Sequence, residues 1–438
     1  MKQSILSKDG VSYVVPFILI TSCFALWGFA NDITNPMVKA FSKIFRMSAT
    51  DGAMVQVAFY GGYFAMAFPA AMFIRRFSYK AGVLVGLGLY ALGAFLFYPA
   101  KMTGEYYPFL AAYFILTCGL SFLETSSNPY ILSMGTEETA TRRLNLAQSF
   151  NPMGSLLGMY VAMNFIQAKL NPLDTASRAT LSADEFEAVK EYDLSVLIAP
   201  YLAIGLVILA MFLVILFWPM PKNGDKNHEI NFLPTLRRIF TMHHYREGVI
   251  AQFFYVGVQI MCWTFIIQYG TRVLMAEGMG EQAAEVLSQQ YNIIAMVIFC
   301  CSRFICTFLL RYVNTGQLLM LLAIAGGVLV AGVITLQNIY GLYCLVGVSA
   351  CMSLMFPTIY GIALTGLGDD AKFGAAGLIM AILGGSVLPP LQASIIDKGE
   401  LFGMPAVNVS FILPFICFIV IAVYGQRTYL RSKGKLKG

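Results

Sequence analysis

Glu124 and Asn128 stand four residues apart in LETSSNPY, and Gln148 and Asn151 three apart in RLNLAQSFN. At those spacings the members of each pair share one face of a helix. A carboxyl can take up and release a proton, and a carboxamide offers a donor beside an acceptor, the complement of a hydroxyl group. A second acid, Asp32, lies in WGFANDITNP with Asn31 and Asn35 within one helical turn, where Pro36 frees a backbone carbonyl. Gln259 precedes Trp263 by one turn, setting an amide beside a flat ring. Gln268, Tyr269, Gln289, Gln290, Asn292 and Tyr360 add further groups of the same kinds. Together these are the side chains that a neutral polyhydroxylated ligand and a proton require. Taken singly, each amide serves equally well as hydrogen-bonding glue between helices.

The elements that carry these residues are apolar. The chain is 58% hydrophobic and 12% charged, with a mean hydropathy of +0.70, whereas about a quarter of a soluble protein's residues are charged. Stretches of about 20 apolar residues, enough to cross a bilayer, begin near Val14, Met54, Ala81, Tyr107, Leu144, Leu194, Val249, Ala284, Gly316, Gly341, Phe373 and Val407. The reading is an all-α membrane protein of twelve transmembrane helices. The first stretch runs past Trp27 to about Val38 without a small-residue cleavage site, so it reads as a retained span rather than a signal peptide. Acids inside spans are costly and mark function by default. Glu124 and Asp32 are the clear cases, and withdrawal from water penalises the charged form, so such a carboxyl can titrate near neutral pH. The structural alternative is a carboxyl paired with a cation or capping a helix end.

Alternating the loops with the N-terminus inside divides the 29 Lys and Arg residues 20 to 9. The positive-inside rule then places both termini in the cytoplasm. The basic excess is thereby explained without a nucleic-acid partner. The Pro-bearing, charged stretch 219–248 reads as a cytoplasmic linker between six-helix halves 1–218 and 249–438. Ser182 and Glu185 have capping-box spacing, which predicts a short surface helix in the outward loop before the sixth span. A faint repeat supports two halves: Asn128-Pro129 followed by Glu137 and Glu138 parallels Phe356-Pro357 followed by Asp369 and Asp370. Parallel repeats of this kind bind substrate near mid-depth at the repeat interface. Gly82, Gly86 and Gly88, and Gly374, Gly377, Gly384 and Gly385, permit close helix contact. Arg75, Arg76 and Lys80 after the second span, and Arg303 with Arg311 after the eighth, read as inside-loop cations, either latching helix C-termini or placed there by topological charge bias alone. His228, His243 and His244 fall in the linker. The nine cysteines lie in apolar runs without metal-ligand spacing and read as packing residues. No phosphate-binding loop, zinc spacing or nucleophile with a partnered base is present, which argues against an ATP-driven pump and against an enzyme.

The segments ALWGFAND (25–32), FYGGYFAMAFPA (59–70), LETSSNPY (123–130), RLNLAQSFN (143–151), AQFFYVGVQIMCW (251–263) and FPTIYG (356–361) resemble the fucose permease family of the major facilitator superfamily, nearly end to end. The superfamily's loop motif, with an acid before the basic pair, is degenerate, because Ile74 precedes Arg75. The resemblance implies the major facilitator fold in a bacterial inner membrane and alternating-access symport of a monosaccharide, L-fucose foremost, with a proton. It implies a functional monomer and no cofactor beyond the coupling ion. The family's fourth-helix acid matches Glu124, and its fifth-helix amides match Gln148 and Asn151. Counted from the tryptophan, its first-helix acid falls at Asn35, while a three-residue gap would match it to Asp32. On this reading Glu124 and Asp32 couple the proton, and Asn31, Asn35, Asn128, Gln148, Asn151, Gln259 and Trp263 bind the sugar. Rival readings are a glucose or galactose carrier, sodium coupling through Asp32, Asn31 and Asn35, and a sugar sensor that does not transport.

Overall fold

A computed structural model describes residues 6–8, 11–34, 37–47, 54–173, 177–178, 180–222 and 232–434. Apart from two short two-stranded hairpins, Ser7–Lys8 with Val11–Ser12 and Glu400–Leu401 with Met404–Pro405, the described chain is helical. In chain order the helices are α1 (Val14–Thr34), α2 (Met37–Ile44), α3 (Met54–Arg76), α4 (Tyr79–Thr103), α5 (Tyr107–Ser133), α6 (Ala140–Gln148), α7 (Asn151–Val161), α8 (Ala183–Phe217), α9 (Phe232–Thr241), α10 (His243–Ala276), α11 (Glu281–Leu309), α12 (Thr315–Thr335), α13 (Ile339–Met352), α14 (Met355–Leu364), α15 (Ala371–Met380), α16 (Gly384–Ile396), α17 (Ala406–Ser410) and α18 (Ile412–Ser432). Among the described residues, eleven helical stretches are long and apolar enough to cross a membrane. The fifth expected span is the pair α6 and α7, neither of which is long enough alone. Pro152 opens α7 and supplies no backbone donor, so the chain turns at Ser149 and Phe150 before winding on.

The chain divides into two units, one of residues 6–134 and 150–230, the other of 1–5, 135–149 and 231–438. In the first, α5 packs on α3 and α4, α8 on α4, and α1 on α7. The α1–α7 seam is closed by backbone. A Cβ on Gly154 would run into the carbonyl oxygen of Ala25, and one on Gly28 into that of Asn151. Aromatic rings fill the α4–α5–α8 interior, with Phe97 stacked on Tyr201 at 4.2 Å and the Tyr113 and Tyr201 hydroxyls 2.6 Å apart. Lys80 donates to the carbonyls of Leu216 and Trp218 at the C-terminal end of α8, each at 2.9 Å. Of that basic cluster, Lys80 thus lies at a helix C-terminus, where the dipole favours a cation.

Around the N-terminus of α8 the same unit carries a polar clasp. Arg178 and Asp193, both fully buried, pair at 2.6 Å. The Asn171 amide donates to Asp193 at 2.7 Å, and Lys43 of α2 donates to the Asn171 carbonyl at 2.9 Å. Arg46 donates to the Arg178 carbonyl and lies 3.5 Å from the centre of the Phe186 ring. The Ser182–Glu185 capping box is present, but it starts α8 itself, which runs unbroken to Phe217. The separate short helix expected there does not form.

In the second unit α10 is the central element, packed on α11, α13, α14, α16 and α18. His243 and His244 open α10 rather than lying in a linker, and His244 Nε2 lies 3.0 Å from the Thr365 carbonyl. His228 lies outside the described residues. The acidic pairs of the faint repeat both sit on single 3₁₀ turns, Glu137–Thr139 before α6 and Gly368–Asp370 before α15.

Candidate functional site

From Leu116 to Ile131 every residue of α5 is buried, so whatever polar group this helix carries must find its partners inside the protein. Glu124 is 6% exposed and accepts a hydrogen bond from the Tyr63 hydroxyl of α3 at 3.1 Å. The Ser121 hydroxyl in turn donates to the Tyr63 carbonyl at 3.1 Å, which fixes the two helices against each other at this level. Asn128 donates to the Glu124 backbone carbonyl at 3.0 Å. Among the described residues no Lys or Arg pairs with Glu124. The salt-bridge alternative for this acid therefore falls away, leaving a carboxyl in apolar surroundings with a neutral phenol beside it. Such a group is cheap when protonated and costly when charged.

Asp32 is half-buried near the end of α1 and lies within electrostatic reach of Tyr60 on α3. Its neighbour Asn31 has a buried side-chain oxygen without a hydrogen-bond partner among the described residues. Asn35 lies outside the described residues. Asn151 donates to the Phe24 carbonyl at 3.1 Å, and Ser155 to the Gly28 carbonyl at 3.3 Å, so α7 is stitched to α1 next to the acid-bearing end.

In the other unit Gln148 is buried at the last residue of α6. That helix docks on α14, where Asn145 donates to the Thr358 hydroxyl at 3.1 Å. On α10, Gln259 and Trp263 are half-buried. The indole N–H of Trp263 donates to the Ser349 hydroxyl at 3.2 Å, and Phe299 meets its ring edge-on at 4.9 Å. Both contacts fix the indole plane while the ring stays partly open.

The structure thus brings Glu124, Asn128 and Tyr63 together, and Asn151 with α1. Gln148 closes α6 and Asn151 opens α7, with Ser149 and Phe150 between them. Arg303 is not a loop cation: it lies within α11, 3% exposed. Sequence reasoning also passed over Gln252, which is fully buried with neither amide atom hydrogen-bonded among the described residues. Its signal was a spacing of seven from Gln259 and eleven from Trp263, which sets all three on one face of α10. Tyr63 carried no such signal, since a tyrosine in an apolar run reads as packing.

Comparison with known proteins agrees with this architecture. The family model for the Major Facilitator Superfamily matches residues 20–389. An L-fucose-proton symporter of Haemophilus influenzae is 53% identical over 98% of this chain and 99% of its own. One of Escherichia coli is 32% identical over 95% of this chain and 93% of its own. A crystal structure of the Major Facilitator Superfamily transporter FucP in the outward conformation superposes with a TM-score of 0.86 at 31% identity, covering 95% of this chain and 99% of that one. The unpaired membrane acid, the broken fifth span and these likenesses over nearly the whole length lead to one assignment: the chain belongs to the fucose permease family of the Major Facilitator Superfamily.

Proposed function

We propose that this chain is a secondary transporter that imports L-fucose with a proton by alternating access, and that it is not an enzyme. The observation that carries the reading is Glu124, a buried acid with a phenol and, among the described residues, no cation for a partner. Such an acid can be neutral in one step of a cycle and charged in another, which a permanently paired carboxylate cannot. The two related L-fucose-proton symporters suggest the sugar and the coupling ion. In this reading Glu124 and Asp32 exchange the proton. Asn31, Asn35, Asn128, Gln148, Asn151 and Gln259 hydrogen-bond sugar hydroxyls, and Trp263 lies against the sugar's apolar face. The chain works as a monomer in the bacterial inner membrane with both termini cytoplasmic.

The test is uptake of labelled L-fucose into proteoliposomes with an imposed pH gradient, alongside D-glucose and D-galactose. Uphill accumulation of L-fucose that follows the pH gradient and is indifferent to replacing sodium with potassium is expected. Accumulation that requires sodium at fixed pH would transfer the coupling role to a metal ion, and binding without any flux would make the protein a sensor.

A further inference from the structure

Arg303 has a buried guanidinium, and among the described residues no carboxylate pairs with it. An unpaired cation withdrawn from water is expensive unless other groups replace its hydration. Here Nε donates to the Ser353 carbonyl at 2.5 Å and Nη1 to the Gln148 carbonyl at 2.9 Å, while the Phe299 ring centre lies 4.6 Å from the guanidinium carbon. Both acceptors stand at ends of half-helices. Gln148 is the last residue of α6, and Ser353 is the first beyond α13. Carbonyls at such an end have no intrahelical donor, and a bilayer offers no water to replace one. The aligned peptides also leave about half an elementary negative charge there. Tyr255 serves the adjoining Met352 carbonyl at 3.1 Å. One guanidinium therefore satisfies the breaks in two spans at once, and the two helix ends provide the counter-charge that no side chain does.

We propose that Arg303 is a positioning residue for sugar recognition, acting through Gln148. By holding the Gln148 carbonyl it sets the backbone from which that carboxamide projects. By holding Ser353 it also steadies the helix end that carries Ser349, the acceptor of the Trp263 N–H. The proposal rests on reading the chain as a sugar symporter. Arg303→Lys tests it, because an ammonium keeps the charge but lacks the planar fork that reaches two carbonyls. The full chain in proteoliposomes is assayed for L-fucose counterflow, with Arg303→Lys, Gln148→Asn and the double variant compared. Arg303→Lys is expected to raise the half-saturation concentration about tenfold with the maximal rate held within about twofold, and to add less than about twofold on top of Gln148→Asn. A merely structural role predicts lost rate and full additivity, and either result overturns the proposal, as does an Arg303→Lys protein indistinguishable from the wild type. Should Arg303→Lys not fold, Arg303→Gln takes its place in the same cycle. A wild type that carries another hexose but not L-fucose corrects the substrate alone, and the cycle is then run on that sugar. A wild type that carries none overturns both readings.

Discussion

Tyr63 donates to a carboxyl oxygen that has no fixed counter-charge among the described residues, so the neutral and ionised forms of Glu124 differ chiefly in what burial costs. Glu124→Gln freezes the neutral form with little change of shape. Counterflow of labelled L-fucose should survive in that variant, while internal sugar should never exceed external sugar under a pH gradient. Unchanged accumulation would remove Glu124 from the coupling step. The residue types of this site were readable in advance, since an acid and amides in spans are rare enough to stand out. Their partners were not. Tyr63 is 61 residues from Glu124, and Ser349 is 86 residues from Trp263, so only the packing of separate helices brings them within reach. Arg303 was misplaced for a related reason: charge patterning registers a cation's position along the chain, not the two helix ends that can shelter it.

Where two helices approach until backbone meets backbone, the seam tolerates no side chain. Gly154 on α7 faces the Ala25 carbonyl of α1, so Gly154→Val must push the helices apart, at a cost of about 1–3 kcal/mol for an overpacked interior. Gly88 on α4 is the control, since a Cβ there meets nothing closer than Phe212 at 3.8 Å. Thermal unfolding followed in detergent should show Gly154→Val destabilised and Gly88→Val close to wild type. Equal melting of the two variants would mean that the α1–α7 seam can relax. Elements of this kind were well marked in the sequence, because apolar runs set where helices start: those expected at Val14, Met54 and Tyr107 begin there. Hydropathy is blind to interruptions, however. The turns at Ser149 and Ser353 exchange no apolar residue for a polar run, and so one expected span proved to be two half-helices, while another is α13 and α14. The Ser182–Glu185 box was identified correctly as a helix start, but it initiates a long span instead of a surface helix because nothing after it stops the winding.

At the scale of the molecule the proposed cycle makes a quantitative demand. A difference of one pH unit is worth about 1.4 kcal/mol per proton, which is about a tenfold sugar gradient. With the membrane potential clamped at zero, accumulation of L-fucose at equilibrium should therefore rise about tenfold per pH unit if one proton moves with each sugar, and about a hundredfold if both Glu124 and Asp32 each deliver one. An accumulation ratio that ignores pH would end the symport reading. The membrane class was legible because composition is a property of the whole chain. The grouping of residues 135–149 with the later part of the chain was not, because it arises from Asn145 docking on Thr358, 213 residues away. The clasp around Arg178 and Asp193 adds a practical corollary. Asn171, Arg178 and Asp193 complete one another's bonds within one segment, which Lys43 and Arg46 reach through the Asn171 and Arg178 backbone carbonyls and, for Arg46, the Phe186 ring. For anyone recombining this chain with a homologue, residues 171–193 are a single inheritable cassette, because a crossover between Arg178 and Asp193 would part a fully buried charge pair, whereas Lys43 and Arg46 would meet backbone carbonyls in either parent's version.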